Sequence, residues 1–130
     1  MESFELLCTF PLSSKELYDA WLDSEKHSKF TGGLAAIEGK ENTFYTAWDG
    51  YITGKILELD DGRRIYQTWR TTEFDTSDES SFLEITLLDH DNVCELTLKH
   101  TNIPDGQGDQ YKTGWSTHYF EPMTKYFSEK

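Results

Sequence analysis

Four histidines are the residues of this sequence most suited to acid–base or metal chemistry, because imidazole titrates near neutral pH and ligates metals. They do not cluster along the chain. His27 and His90 have polar neighbours, which predicts that both are solvated. His100 falls on the inward-facing positions of a predicted strand, and His118 borders an apolar stripe on the last predicted helix. We expect structural roles for these residues, with His118 the one placed to touch a ligand if any does.

Two cysteines, Cys8 and Cys94, share inward parity on predicted strands and could lie near each other. A metal site would need two further ligands at fitting positions, and none is obvious, so two buried free thiols are expected. The motifs GxSxG, HExxH, CxxC and the P-loop are missing, and the GxG fragment at residues 106–108 is interpreted as a turn. The sequence therefore predicts no catalytic residue, no metal and no cofactor.

Aromatic side chains are the other candidates for chemistry, and the sequence holds four Trp, seven Tyr and eight Phe. Rings supply apolar contact to a ligand, and Tyr or Trp adds a hydrogen-bonding group. Part of this set could line a pocket, and the alternative that it forms plain core stays open. The candidate ligand-binding residues are Phe30, Phe44, Trp69, Trp115, His118, Tyr119 and Met123.

The element that must position these side chains is a helix predicted over residues 108–127. Apolar residues recur every four positions there, which is typical of one wide apolar face on an α-helix. Pro122 lies inside the run and should bend the helix, because proline removes a backbone donor. Such a stripe must be covered by the rest of the chain. The positions of the stripe are Tyr111, Trp115, Tyr119, Met123 and Phe127.

The preceding chain supplies the cover. Alternating residues 4–10 predict a first strand, and Ser13 with Glu16 forms a capping box that begins a helix, followed by a short helix over residues 24–30. Strands are then predicted over residues 43–48, 51–59, 64–70, 82–88 and 93–100, with a two-residue turn at Asp49 and Gly50. The order predicts an α+β fold, with an antiparallel sheet of about six strands packed on the last helix.

The length and net charge of the chain limit the functions that it can have. The 130 residues are expected to form a single domain, residues 1–130. A net charge of -12 argues against binding to nucleic acid or an anionic membrane surface. No apolar run approaches the length of a membrane span and no signal peptide is apparent, so a cytoplasmic location is expected. Asp75, Asp78 and Glu79 indicate a solvated acidic loop, or alternatively a docking patch for a basic surface.

Three segments, residues 14–33, 49–70 and 114–127, together resemble the family of Hsp90 ATPase activator homologues, within the helix-grip superfamily of START and Bet v 1-like proteins. The GW pair at Gly114 and Trp115, followed by the aromatic helix, is the most specific piece, and Trp21 and Trp69 agree with family tryptophans. The resemblance implies a curved sheet of six to seven antiparallel strands wrapped around a long kinked C-terminal helix, with two short helices after the first strand. It also implies that an apolar cavity often lies between sheet and helix.

Two functions are therefore expected. The first is non-enzymatic binding of a small hydrophobic or aromatic ligand, with Trp115, Tyr119 and Met123 as the floor, Phe44 and Trp69 as the wall and Phe30 at the mouth. The alternative is a chaperone-interaction module that binds an Hsp90-type partner through its surface. An enzyme is the third hypothesis, because some superfamily members are cyclases, but the sequence shows no poised acid–base pair.

Overall fold

The computed structural model describes residues 1–129. Within them the strands are β1 (Glu2–Phe10), β2 (Ala36–Ile37), β3 (Phe44–Ala47), β4 (Ile52–Asp60), β5 (Arg64–Thr71), β6 (Ser81–His90) and β7 (Val93–Ile103). The helices are α1 (Ser14–Leu22), α2 (Ser24–Thr31), α3 (Gly108–Gly114) and α4 (Glu121–Ser128), with a π-helical turn, Trp115–Phe120, joining α3 to α4.

The strands form one antiparallel sheet in the order β1-β7-β6-β5-β4-β3-β2. Burial alternates along the central strands, so one face is covered and the other faces solvent. The covered face and the C-terminal helices share a single hydrophobic core. The predicted α+β helix-grip fold is confirmed, and the sheet has seven strands.

Local sequence signals set the ends of the first two helices. Ser13 accepts a hydrogen bond from the backbone N–H of Glu16, and the Glu16 carboxylate accepts one from the backbone N–H of Ser13, so the predicted capping box is confirmed. Asp23 caps α2, and Gly32 ends it in the left-handed conformation at φ 88°. The chain then leaves α2 towards the sheet edge at β2.

The predicted stripe on the last helix is buried throughout. Tyr111, Trp115, Tyr119, Met123 and Phe127 are each at most 5 % exposed. Trp115 packs on Trp69 of β5 with ring centroids 5.7 Å apart, and Phe127 packs on Phe10 of β1 at 6.1 Å. The helix therefore lies along the covered face of the sheet.

The sequence predicts a bend at Pro122, and the structure has a π-helical turn that ends just before α4. Pro122 then occupies the first turn of α4, a position that tolerates a missing backbone donor. The wider turn also buries Phe120 beside Tyr119, and Phe120 contacts Phe10 at 6.1 Å. Phe120 lies outside the four-residue spacing of the stripe, because that spacing assumes a regular α-helix.

Candidate functional site

A pocket of about 500 Å³ opens between the C-terminal helices and the chain that links β3 to β4. Its aromatic lining residues are Trp48, Tyr51, Trp69, Tyr111, Trp115 and Tyr119. The remaining lining residues are Ile52, Gln110, Thr113, Gly114, Thr117 and His118. The volume lies within the range of small-molecule sites, and the lining combines flat apolar faces with a few polar groups, as such sites do.

Four of the seven predicted site residues line this pocket: Trp69, Trp115, His118 and Tyr119. Met123 is fully buried and Phe30 is 2 % exposed, so both are core residues beneath the pocket rather than its floor and mouth. Phe30 contacts Trp21 and Phe127 with its ring. A second void, between Trp21, Tyr45 and Tyr119, has a volume of about 10 Å³, which is the space of one water molecule at most.

The prediction that Phe44 forms a pocket wall is wrong. Its side chain is 75 % exposed and lies on the solvent face, where the ammonium of Lys55 sits 5.7 Å from the ring centroid. Successive strand residues point to opposite faces, and the inward position belongs to Tyr45. The hydroxyl of Tyr45 donates to the carbonyl oxygen of Thr68 at 2.7 Å. This hydrogen bond keeps the Tyr45 side chain on the covered face of the sheet.

The rim of the pocket is a turn of three left-handed residues, Trp48, Asp49 and Gly50, with φ of 52°, 59° and 90°. β3 ends at Ala47, so the predicted two-residue turn is wrong in its extent. Asp49 holds the turn, because its backbone N–H donates to the carbonyl of Leu34 and its carboxylate accepts from the Leu34 N–H, both at 3.0 Å. A left-handed tryptophan is strained, and such strain persists only where surrounding contacts impose it.

The Trp48 ring is fixed from two sides. A Cβ built on Gly33 would lie 2.6 Å from Trp48 Cε3, so the ring occupies space that only glycine leaves free. On the other side the ring meets His118 edge to face, with centroids 5.7 Å apart. Within residues 1–129, the indole N–H of Trp48 is the one buried side-chain N or O group with no hydrogen-bond partner.

His100 is buried as predicted and holds the back of the pocket. The Ser81 hydroxyl donates to the carbonyl oxygen of Trp69 at 2.6 Å, so it accepts from the Nε2–H of His100 at 2.8 Å. The indole N–H of Trp115 can only donate, and it reaches Nδ1 of His100 at 3.1 Å. His100 is therefore the neutral Nε2–H tautomer, and burial lowers its pKa to about 3.

The prediction that His27 is solvated is wrong, since it is 2 % exposed. Its Nδ1–H donates to the carbonyl oxygen of Trp21 at 2.8 Å, which leaves Nε2 to accept from the hydroxyl of Tyr119 at 2.9 Å. Burial lowers the pKa of His27 to about 4, against a smaller opposing effect of the Trp21 carbonyl, and burial raises the pKa of Tyr119. His27 thus fixes the Tyr119 ring that lines the pocket.

A polar cluster closes one end of the pocket. The hydroxyl of Tyr51 donates to the carboxylate of Glu73, and the amide of Gln110 donates to the same carboxylate at 2.7 Å. These two hydrogen bonds lower the pKa of Glu73. Tyr111 shares a hydrogen bond with Thr71 at 2.7 Å. Both donors to Glu73 are lining residues, so the exposed carboxylate of Glu73 lies one hydrogen bond away from the pocket lining.

Sequence reasoning missed the rim and the helix residues beside the stripe. Gln110, Thr113 or Gly114, and Thr117 repeat at a three- and four-residue spacing, one or two positions away from the stripe. A second, more polar face running beside a buried face was the available signal. Trp48 gave no signal, because its ring is placed by Gly33 and His118, which are distant in sequence.

The two buried imidazoles beside the pocket have structural hydrogen bonds. Each ring nitrogen of His27 and of His100 has a partner, so neither imidazole is free to exchange a proton with a ligand. In residues 1–129 no three His, Cys, Asp or Glu side chains are grouped to hold a metal ion. Among the same residues no helix has the length and apolar character needed to cross a membrane.

Comparison with known proteins agrees with this geometry. The family model described as Activator of Hsp90 ATPase homolog 1-like protein matches residues 11–128. The chain belongs to this family. Activator of 90 kDa heat shock protein ATPase homolog 1 from Mus musculus is 31% identical to the chain over 121 residues, which are 92% of this chain and 35% of that protein. This family member thus spans about a third of the length of the curated relatives it matches.

Solved structures show the same fold as this chain. The crystal structure of an HSP90 activator from Plasmodium falciparum superposes with a TM-score of 0.89 at 21% identity, covering 98% of this chain and 97% of that one. The crystal structure of Ara h 8.0201 superposes with a TM-score of 0.76 at 19% identity, covering 99% of both chains. The helix-grip architecture is therefore shared by proteins with little sequence in common.

Proposed function

We propose that this chain is a non-enzymatic binding domain whose pocket takes a small, largely hydrophobic or aromatic ligand. The observation that carries the proposal is the pocket of about 500 Å³ walled by six aromatic side chains. Typical ligand pockets are of this size, and most of their lining is apolar. The ligand enters beside the Trp48 turn and lies against the C-terminal helices.

The walls support binding because they are already held in place. Trp115 is fixed by its hydrogen bond to His100, and Tyr119 by its hydrogen bond to His27. Trp115 and Tyr119 also contact each other, with ring centroids 4.6 Å apart. Side chains that need no ordering on binding spare the complex that entropic cost.

A fluorescent hydrophobic probe tests the proposal. N-phenyl-1-naphthylamine, which is neutral and smaller than the pocket, should bind at one saturable site with a micromolar dissociation constant. Thr117→Phe adds a ring to the lining and should weaken that binding by about tenfold or more, which corresponds to about 1.4 kcal/mol. The neighbouring residue Ser116 is exposed and outside the lining, so Ser116→Phe should leave the affinity unchanged.

Phe44→Ala is a second control, because Phe44 lies on the opposite face of the sheet from the pocket. Circular dichroism of each variant establishes that it is folded. Absence of saturable binding by the unmodified protein, or equal losses in the Ser116 and Thr117 variants, would contradict the proposal.

A second candidate function is interaction with an Hsp90-type chaperone through the protein surface. It is favoured by the 31% identity to the mouse activator and by the structural match to an HSP90 activator. Pull-down with the purified chaperone of the same organism, together with its ATPase rate, tests this candidate. Stimulation that persists in Thr117→Phe would assign it to the surface, and no binding with no stimulation at micromolar protein would dismiss it.

A further inference from the structure

Six aromatic side chains line the pocket, and their rings pack closely on one another. Trp69 and Trp115 are 5.7 Å apart by ring centroids, Trp115 and Tyr119 are 4.6 Å apart, and Trp48 stands at the opposite rim against His118. The face of each such ring carries partial negative charge and attracts a cation placed over it, tryptophan most strongly. Several rings that line one pocket can therefore contact a cation on more than one side.

The charges around the pocket point the same way. Of the residues that the structure describes, no lysine or arginine is among those lining it. The exposed carboxylate of Glu73 is one ionised group next to the lining, and it accepts hydrogen bonds from the lining residues Tyr51 and Gln110. The hydroxyls of Thr113 and Thr117 and the amide of Gln110 can accept hydrogen bonds from a cation. A ligand carboxylate or phosphate would find no ionic partner here.

The charge of the whole chain adds to this local field. A net charge of -12 raises the concentration of cations at the surface and lowers that of anions. A cleft with low-dielectric walls concentrates such a field. The pocket is therefore favourable to positive ligands before any contact is made.

We propose that the ligand of this pocket is a flat aromatic cation, such as a quaternised heteroaromatic ring or an aryl ammonium, and that anionic lipids and aryl acids are excluded. The inference rests on the proposed binding function and narrows it to one charge class. The rings supply the cation–π and stacking contacts, and Glu73 supplies a counter-charge next to the lining.

Three probes of one shape separate charge from hydrophobicity: N-methylquinolinium, neutral 4-methylquinoline and quinoline-4-carboxylate. Each is titrated at pH 8, above the range in which imidazole usually takes a proton, while the indole N–H resonances of the four tryptophans are followed by NMR. The cation should bind about five- to thirtyfold more tightly than 4-methylquinoline, the span expected for cation–π contacts from exposed to desolvated sites. The carboxylate should bind more weakly than either.

Paired variants test the counter-charge. Glu73→Gln should weaken binding of N-methylquinolinium about threefold, the effect of a screened charge next to the lining, while leaving 4-methylquinoline unchanged. Glu79→Gln removes the same charge from the same loop outside the lining, and should change neither affinity. Using the neutral probe as reference separates loss of charge from any disturbance of Tyr51.

The outcomes distinguish this inference from the proposed function. Binding of 4-methylquinoline or quinoline-4-carboxylate as tight as that of the cation would overturn the charge preference and leave the pocket as a hydrophobic site. A cation preference that Glu73→Gln and Glu79→Gln leave equally intact would overturn the role of Glu73. No shift of any indole resonance with any probe would overturn both the inference and the proposed function.

Discussion

Acidification should destabilise this protein through its two buried imidazoles. The folded-state pKa is about 4 for His27 and about 3 for His100, against 6.5 for an ordinary imidazole. Both values are lowered in the fold, so below pH 6.5 the unfolded chain takes up protons that the folded chain refuses. The stability that depends on neutral imidazoles is therefore fully present above pH 6.5 and is lost as the pH falls towards the folded pKa.

The loss follows from the linkage between protonation and folding. At pH 5 each imidazole has lost about 2 kcal/mol of its contribution relative to pH 8, because the unfolded side chain is almost fully protonated while the folded one is almost fully neutral. Together the two imidazoles remove about 4 kcal/mol from the free energy of unfolding. Domains are typically stable by roughly 5 to 15 kcal/mol, so this is a large part of the total. Near pH 5.5 each contributes a slope of about 1.2 kcal/mol per pH unit.

Urea unfolding followed by tryptophan fluorescence between pH 5 and pH 7 measures this slope. His100→Gln and His27→Gln keep one donor and one acceptor but do not titrate, so each should reduce the slope by about 1.2 kcal/mol per pH unit near pH 5.5. The matched control is His90→Gln, since His90 is the last residue of β6 and its side chain is 67% exposed. Comparison of variants at the same pH cancels the titration of the many carboxylates.

The expected slope comes from burial among rings rather than from a charged partner. His27 contacts Trp21, Phe30 and Tyr119, and His100 contacts aromatic rings and Ser81. Among residues 1–129 no carboxylate is hydrogen-bonded to either imidazole. Equal slopes for the unmodified protein and both glutamine variants would refute the reasoning. So would a reduction of the same size in His90→Gln.

Two further substitutions test local features. Ser13→Ala removes the cap of α1 and should lower the free energy of unfolding, measured by urea titration, by about 1 kcal/mol without changing probe affinity. A decrease of less than a few tenths of a kcal/mol would contradict the role of the capping box. Gly33→Ala places a Cβ against the Trp48 ring and should cost about 1 to 3 kcal/mol and weaken binding of N-phenyl-1-naphthylamine. Its control is Gly32→Ala, which strains a residue at φ 88° but meets no atom within 4 Å and should leave probe affinity intact.

Much of the fold was predictable because its signals are local. The capping box at Ser13 and Glu16, the alternation in β1 and β7, and the stripe on the last helix each depend on residues within one element. Of the four predicted residues that line the pocket, Trp115 and Tyr119 lie on that stripe and His118 lies at its border, whereas Trp69 was indicated by the family resemblance. Periodicity shows which face is buried, but it does not show whether the buried face meets solid core or a pocket, which is why Met123 and Phe30 were misplaced.

The errors at His27 and Phe44 share a cause. The segment around His27 is polar, and its burial depends on Trp21 and on Tyr119, which lies 92 residues away. Phe44 and Tyr45 are adjacent aromatics, so alternation alone leaves either one free to point inward. The carbonyl of Thr68 selects Tyr45, and that partner belongs to another strand. Tertiary contacts of this kind are absent from any window of sequence.

The π-helical turn between α3 and α4 contains one residue more than the same stretch of a continuous α-helix would. One added residue rotates everything downstream by about 100° around the axis. The halves on either side of the turn therefore address different neighbours: Tyr111 and Trp115 meet Trp69 on β5, whereas Phe127 meets Phe10 on β1 and Phe30 on α2. Deletion of one residue in the π-helical turn would rotate α4 about its axis and turn Met123 and Phe127 away from their partners. The angular register of this helix, and not only its composition, therefore determines which side chains pack against the sheet.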